Sequence, residues 1–322
     1  MKAIVFKKIG GPEVLEFVDR PLLPPAAGEV TLRHTAIGLN FVDVYYRSGL
    51  YPSAMPSGLG NEGAGVIEAL GAGVKGFKIG DRVAYGTGPL GSYSEKRNFP
   101  ANRLVKLTKA ISDETAAGMM LKGMTVRYLL RATYKVKRGQ TVLFHAAAGG
   151  VGLIFSQWAK ALGVKVIGTV GSAEKMQTAY DHGCAHVINS STEDVAARVK
   201  EITKGQGVPV VYDGVGKATF QTSLECLSLR GMLVSFGNAS GPVTGIGVGV
   251  LTPKALYISR PTLGAYTSTD AEFQETAQDV IDIVKSGKVK IAINQRYALK
   301  DASQAHQDLE ARRTTGASVL IP

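Results

Sequence analysis

Hydrophobic and polar positions change rhythm twice along the chain. Up to about residue 120, apolar residues come in short strand-like runs at 3–6, 29–37, 63–70, 82–85 and 91–98, punctuated by Gly28-Glu29 and Gly80-Asp81. Closely spaced short strands predict a partly closed β-barrel. From residue 141, apolar strands alternate with helical stretches: strand 141–145, helix 151–162, strand 165–170, helix 173–182, strand 186–188, helix 193–203. The alternation continues through strand 209–212, helix 218–227, strand 232–236 and a further strand at 256–259. This pattern predicts an α/β fold with a parallel, doubly wound Rossmann sheet. After about residue 265 only a helix at 271–286 and a closing strand at 319–321 are evident. A lone helix and strand cannot build a core, so the C-terminal segment is expected to return to the first domain. The expected boundaries are 1–122 for the first segment of that domain, 123–264 for the Rossmann domain and 265–322 for the return segment.

The strand-to-helix turn at 146–152 is rich in small residues. A GxGxxG frame laid on it falls on Ala147, Gly149 and Gly152, with alanine at the first position. Gly149 would let the backbone approach a pyrophosphate, and Gly152 would let the helix pack on the strand. The helix start at Gly150 and Val151 would offer free N–H groups to an anion. A strand before the motif, a helix within it and a strand after it supply the context that a bare GxGxxG lacks. The motif therefore predicts a dinucleotide site.

The second strand indicates which dinucleotide. A site for NAD usually carries Asp or Glu about 20 residues past the loop, on the ribose 2′-hydroxyl. Here the strand runs Lys165-Val166-Ile167-Gly168-Thr169-Val170 and ends without an acid. Gly171 and Ser172 follow, and Lys175 lies within one helical turn. Backbone donors, a hydroxyl and a cation suit a 2′-phosphate, which favours NADPH over NADH. A solvated helix lysine is the lesser, alternative reading of Lys175.

Composition narrows the class. The 322 residues are enough for two domains, and 45% hydrophobic with 20% charged residues is ordinary for a globular protein. The 39 glycines, about 12% of the chain, have no collagen-like period and read as tight turns. No apolar run reaches the ~18 residues of a membrane span, and the N-terminal residues pass directly into a strand pattern without a signal-peptide h-region. The only cysteines, Cys184 and Cys226, have no metal-ligand or disulfide spacing, so a reducing, cytoplasmic setting and no metal site are expected. The formal net charge of +11 is scattered; the short clusters at 135–138 and 312–313 are modest. Solvated surface and phosphate contacts account for it better than a nucleic-acid groove, which usually shows a clustered footprint.

Several stretches together resemble the quinone oxidoreductases, the zeta-crystallin-like family of the medium-chain dehydrogenase/reductases. They include Gly10-Gly11-Pro12-Glu13-Val14-Leu15, Ile37-Gly38-Leu39-Asn40-Phe41-Val42-Asp43, Arg47-Ser48-Gly49-Leu50-Tyr51-Pro52 and Pro56-Ser57-Gly58-Leu59-Gly60-Asn61-Glu62-Gly63. Leu121-Lys122-Gly123-Met124-Thr125, the alanine-bearing phosphate loop and Val234-Ser235-Phe236-Gly237-Asn238 continue the match nearly end to end. The resemblance implies a GroES-like β-barrel catalytic domain made from both chain ends, a Rossmann domain between them, and transfer of reducing equivalents from NADPH to a quinone. It implies a homodimer joined at the Rossmann sheet edge, to be sought at residues 241–251 and 254–259. Zinc dehydrogenases of the superfamily use Cys and His in the first domain. Here Asn40 and Asp43 lie near the Cys region and Asn61 stands where the His would be, which implies a zinc-independent enzyme.

For the site, the resemblance implies that Asn40, Asp43 and Tyr45 border the nicotinamide, while Tyr51 and Arg47 lie near the quinone. Amide, phenol and guanidinium groups could donate hydrogen bonds to a quinone oxygen. Thr125, the backbone of Phe236-Gly237-Asn238, and Arg312 are implied cofactor contacts, and Lys122 is implied to face the active-site cleft. Other readings of the same residues stay open: Asn40 and Asp43 as caps of a helix beginning near residue 42, the tyrosines as packing residues, Arg47 as a surface charge. His145 reads as a packed core histidine. Where the family has tyrosine after Val187-Ile188-Asn189, this chain has Ser190, which leaves 2′-phosphate selectivity resting on Lys175. Reduction of an activated C=C bond in an enal or enone is the alternative chemistry, and a non-catalytic NADPH-binding protein with nucleic-acid affinity the alternative class.

Overall fold

The computed structural model describes all 322 residues. They form two compact units: Met1–Met124 with Thr267–Lys285 and Ile291–Pro322, and Thr125–Tyr266 with Ser286–Lys290. The boundaries lie two residues past those expected, and Ser286–Lys290 goes with the second unit.

In chain order the elements are β1 (Lys2–Phe6), β2 (Glu16–Asp19), β3 (Glu29–Leu39), α1 (Phe41–Arg47), β4 (Ser57–Gly58), β5 (Gly63–Leu70), β6 (Arg82–Tyr85), β7 (Lys96–Pro100), β8 (Val105–Lys106) and α2 (Asp113–Tyr128). There follow β9 (Thr141–Phe144), α3 (Gly150–Ala161), β10 (Lys165–Val170), α4 (Glu174–Asp181), β11 (His186–Asn189), α5 (Val195–Ile202), β12 (Val208–Asp213), α6 (Phe220–Cys226), β13 (Leu227–Ser235) and β14 (Tyr257–Ser259). The chain closes with α7 (Asp270–Lys285), β15 (Ile293–Ala298), α8 (Ala302–Glu310) and β16 (Ala317–Ile321).

In the first unit β3 is the central strand of a seven-stranded sheet, with β5 and β7 antiparallel to it. The C-terminal strand β16 also pairs with β3, Ser318 opposite Leu39 and Leu320 opposite Ile37, so the return of the chain end to the first unit is as expected. The expected strand at 91–98 lies instead at β7; residues 91–95 turn, and Tyr93 accepts from Ile4 N and donates to Leu59 O through its backbone. One core gathers Ile4, Phe6, Ile37, Leu39, Tyr93 and Leu320, and a second gathers Val30, Leu32, Ile67, Val83, Tyr85 and Phe99. Burial of such side chains contributes roughly 1.5–3 kcal/mol each.

In the second unit six parallel strands run in the order β11-β10-β9-β12-β13-β14. Counted from β9 this is the 3-2-1-4-5-6 order of a dinucleotide-binding sheet. The strands are apolar on both sides because helices cover both faces. Leu143, Ile167, Ile188, Val211 and Leu233 stack with Val199 and Leu224 from α5 and α6. In open sheets of this kind ligands bind where strand order reverses, here beyond the carboxyl ends of β9 and β12.

Candidate functional site

The phosphate loop follows β9. Ala146 adopts the left-handed conformation (φ 59), which reverses the chain into α3, and Ala147 N donates to Thr169 O at 2.8 Å. A Cβ on Gly152 would strike the carbonyl oxygens of Ala146 and Ala147, so the helix can approach the loop only with glycine there. The alanine at position 147 has its own complement. A Cβ on Gly168 would meet the Ala147 methyl, so the space this methyl needs is left open by the neighbouring strand. Gly149 is the N-cap of α3. The N–H groups of Gly150 and Val151 open the helix, where no intrahelical carbonyl precedes them.

A buried network holds this loop from behind. Asp213 Oδ1 accepts from Val215 N (2.8 Å) and Gly216 N (3.0 Å), and Oδ2 from Thr219 (2.7 Å) and Ser223 (2.9 Å) hydroxyls. Because Ser223 gives its proton to Asp213, His145 Nε2–H must donate to Ser223 Oγ (3.1 Å). His145 Nδ1 then accepts from Thr169 Oγ1 (3.1 Å), which in turn accepts from Ala146 N (3.3 Å). Burial lowers the His145 pKa, with the Asp213 charge opposing, so the ring is neutral. His145 is thus a core histidine with a holding task.

β10 ends at Val170 with no acid. Gly171 is exposed, Ser172 and Lys175 are half-buried, and Lys175 N bonds Ser172 O in the first turn of α4. Ser172's hydroxyl bonds the Glu174 carboxylate and lowers its pKa. Ser190 gives its hydroxyl to Val170 O (3.0 Å) and Ser191 to Gly171 O (2.7 Å), so serines tie the strand end where an aromatic ring was expected from the family. Beyond β13, a Cβ on Gly237 would collide with Gly214, which fixes the course of Phe236-Gly237-Asn238. With its amide turned to satisfy both groups, Asn238 accepts from Arg260 Nη2 at 2.8 Å. Thr125 is buried on α2. Arg312 belongs to the first unit and sits exposed in a left-handed turn (φ 58) after α8.

The other candidates cluster at α1 in the first unit. Asn40 is the N-cap and Asp43 Oδ2 returns to Asn40 N at 2.9 Å, so the capping reading is correct as far as it goes. The cluster is larger than a cap. Asp43 is fully buried and also accepts from Asn61 Nδ2 (3.1 Å) and the Tyr93 hydroxyl (3.0 Å). Burial pushes its pKa up to about 6, with these bonds and the nearby Lys122 charge opposing. Asn40 Nδ2 donates to Glu62 Oε2 (2.8 Å), which also takes Lys122 Nζ (3.2 Å), while Glu62 Oε1 accepts from Leu121 N (2.8 Å). Gly38 makes room: a Cβ there would overlap the Glu62 carboxylate.

Tyr45 is buried and Tyr51 half-buried, their rings edge-on at 5.2 Å, and Tyr51 N donates to Tyr45 O at 3.0 Å. Phe41 and Tyr45 share one face of α1; Asp43 and Arg47 share another. Arg47 departs from expectation. The surface reading fails, because the residue is 1% exposed and most of its guanidinium donors are engaged within the first unit. Nε donates to Gly10 O (3.1 Å), Nη1 and Nη2 hold Glu310 (2.7 and 2.9 Å), and Nη1 reaches His306 Nδ1 (3.0 Å). Since arginine only donates, His306 Nδ1 accepts and its Nε2–H faces the Tyr93 oxygen at 3.1 Å. Burial and the Arg47 charge push the His306 pKa down to about 3. Arg47 ties α1 to α8 and Gly10 through four of its five N–H donors. Tyr93, His306 and Glu310 were not found by sequence reasoning, and nothing in their local sequence signals them.

Comparison with known proteins agrees with both halves of this picture. The family model described as "Alcohol dehydrogenase GroES-like domain" matches residues 26–109, and "Zinc-binding dehydrogenase" matches residues 150–286. The chain is 56% identical over 323 residues to a quinone oxidoreductase of Pseudomonas aeruginosa, covering 100% of this chain and 99% of that one. It superimposes on the crystal structure of Escherichia coli quinone oxidoreductase complexed with NADPH with a TM-score of 0.98 at 51% identity, covering 100% of each chain. A 2-haloacrylate reductase of Burkholderia is 44% identical over 330 residues, covering 100% of this chain and 99% of that one.

Proposed function

The chain belongs to the quinone oxidoreductases of the medium-chain dehydrogenase/reductase superfamily, and from that premise we propose that it reduces a quinone with NADPH and needs no metal ion. The observation that carries the cofactor choice is the end of β10: no acid, an open turn at Gly171 and a lysine at 175. When bound, NADPH supplies the hydride. Ala147, Gly149, Gly150, Val151 and Gly152 would line its pyrophosphate. Gly171, Ser172 and Lys175 would take the 2′-phosphate, with Ser172 first releasing Glu174. Thr125, Phe236, Gly237, Asn238 and Arg312 would complete the contacts.

Asn40, Tyr45 and Tyr51 are proposed to meet the nicotinamide and the quinone. Asp43, buried and saturated with donors, acts by positioning Asn40 and Asn61. Metal independence is supported by the donor chemistry. Asp43 and Glu62 are engaged by hydrogen-bond donors, and burial pushes the Cys184 and Cys226 thiols up to about 11 and about 12, away from the thiolates a zinc ion takes. The same free thiols fit a reducing cytoplasm. No helix is long and apolar enough to cross a membrane.

The proposed assembly is a homodimer through β14. This strand pairs on one side only, with β13, and carries Tyr257 (58% exposed) and Ile258 (41%) beside Val248 (86%). An unpaired strand edge with exposed apolar side chains is a template for a second chain. Sedimentation should give twice the 34.0 kDa chain mass.

Turnover of NADPH with a benzoquinone, a naphthoquinone and an alkenal tests the activity; reduction of the alkenal alone would replace quinone by activated C=C as the substrate. That second reading is favoured by the similarity to the 2-haloacrylate reductase. Lys175→Ala should raise KM for NADPH roughly tenfold to hundredfold, the loss of one charge-assisted contact, with little change for NADH. Equal effects on both would remove the 2′-phosphate assignment.

A further inference from the structure

We propose that the Lys122 ammonium is the group that receives the negative charge arriving on the acceptor's oxygen. This rests on the reading that the chain reduces a conjugated carbonyl compound.

An ammonium has three N–H donors. Lys122 is 5% exposed and has one protein hydrogen-bond partner, Glu62 Oε2 at 3.2 Å. A buried cation normally fills its hydrogen bonds, because the lost hydration is otherwise uncompensated. Glu62 cannot turn to supply more: its two oxygens are held by Leu121 N and Asn40 Nδ2, and it is 0% exposed. Nor does Asp43 fill the gap, since its oxygens bond Asn40 N, Asn61 and Tyr93. Glu62 therefore fixes the lysine in place and cancels its charge at long range, while two of the lysine's three N–H donors have no protein acceptor. These groups adjoin Asn40, already proposed to meet the substrate.

The chemistry needs such a group. A hydride brings two electrons and one proton from the reduced nicotinamide, which becomes oxidised, and the quinone becomes a hydroquinone monoanion. The charge settles on an oxygen. A charge-assisted N–H···O⁻ bond from a fixed, buried ammonium stabilises it more than the neutral carbonyl. Lys122 keeps its proton, and water supplies the proton that completes the hydroquinone.

The test uses the full-length enzyme with NADPH. Lys122→Met should lower kcat roughly 10²-fold, as loss of an oxyanion donor does, with NADPH affinity by fluorescence titration unchanged. The loss should be largest for the least oxidising quinone of a graded series, because that acceptor depends most on help with its charge. Since Lys122→Met leaves Glu62 unpaired, the double variant Glu62→Gln/Lys122→Met keeps the pocket neutral and should show the same loss. Without turnover, 4-nitrophenol bound to the wild type should ionise at lower pH than in either variant. An equal loss across the series, recovery in the double variant, or an unshifted nitrophenol titration would overturn the proposal. A wild type that reduces alkenals but no quinone would sink the quinone assignment alone; an alkenal series and the nitrophenol titration would still decide the role of Lys122.

Discussion

Each unit carries a buried knot that runs from a carboxylate through a hydroxyl to a histidine, and the two knots do different work. In the second unit Asp213, Ser223, His145 and Thr169 join the ends of neighbouring strands, and every arm of Asp213 ends on a backbone N–H or a nearby hydroxyl. That knot holds main chain: the left-handed Ala146 and the turn after β12. In the first unit Asp43, Tyr93 and His306 lead on to Arg47 and Glu310, so the chain of bonds ends in an ion pair. That knot holds side chains on separate elements, and with them Asn40 and Asn61. The lesson is that similar residue types make a scaffold in one place and a poised polar cluster in the other. What differs is whether the carboxylate is satisfied within ten residues of itself or draws on side chains from distant parts of the chain that lead on to an ion pair.

The harshest way to break the comparison is Arg47→Ala. The guanidinium side chain is 2% exposed and that of Glu310 33%. Losing one member of a buried pair costs about 3–5 kcal/mol, and the lower end is expected because Glu310 can reach water. Urea unfolding should show that loss while NADPH affinity stays unchanged. Arg47→Lys should not rescue it, since a single ammonium cannot grip both Glu310 oxygens and Gly10 O together. An unaltered unfolding midpoint with a raised quinone KM would instead return Arg47 to the acceptor site that the family resemblance implies.

The same contrast explains what was legible in the sequence. The second unit could be read almost residue by residue: β10 was expected at 165–170 and lies at Lys165–Val170, and Gly152 gives the close helix approach that its spacing implies. Its contacts are local and its strands uniformly apolar. In the first unit α2 was missed because it is buried all round, with Ala116, Ala117, Met119, Met120 and Met124 leaving no polar face to set a period. The helix α8 was missed for the opposite reason: Ala302, Ala305 and His306 turn inward, and small residues and a histidine do not read as an apolar stripe. The strand β15 alternates half-buried and exposed residues without strong apolar character. Asn40 and Asp43 were found as a motif, yet Arg47 meets its partners 259 and 263 residues away, a pairing that no local pattern contains.

A gentler perturbation, Asp43→Asn, separates the charge of the first knot from its shape. Asp43 is raised from 3.8 to about 6 by burial. Its contribution to stability is therefore full below the unfolded value and lost as pH rises through about 6. A shift of about two units corresponds to about 3 kcal/mol. The unfolding free energy of Asp43→Asn, relative to wild type, should improve by most of that amount between pH 4 and pH 7. His34 and His306, both pushed down to about 3, act in the opposite direction as pH falls from 6.5, but they do so in both proteins and cancel in the difference. A difference that is flat with pH would mean that Asp43 is no less content as an anion than a surface carboxylate, and the contrast between the knots would vanish.

The smallest effect is expected from His145→Gln in the second knot. Glutamine can keep one of the two histidine bonds, to Thr169 or to Ser223, but its shape does not span both. One lost neutral hydrogen bond costs about 1 kcal/mol, and Ala146, at φ 59, is the residue whose setting loosens. The consequence should be a few-fold rise in KM for NADPH, with kcat and the quinone KM nearly unchanged, because the knot acts only through the loop. Loss of kcat with NADPH binding intact would make His145 a participant in the reaction. It would also make the two knots alike in function as well as composition.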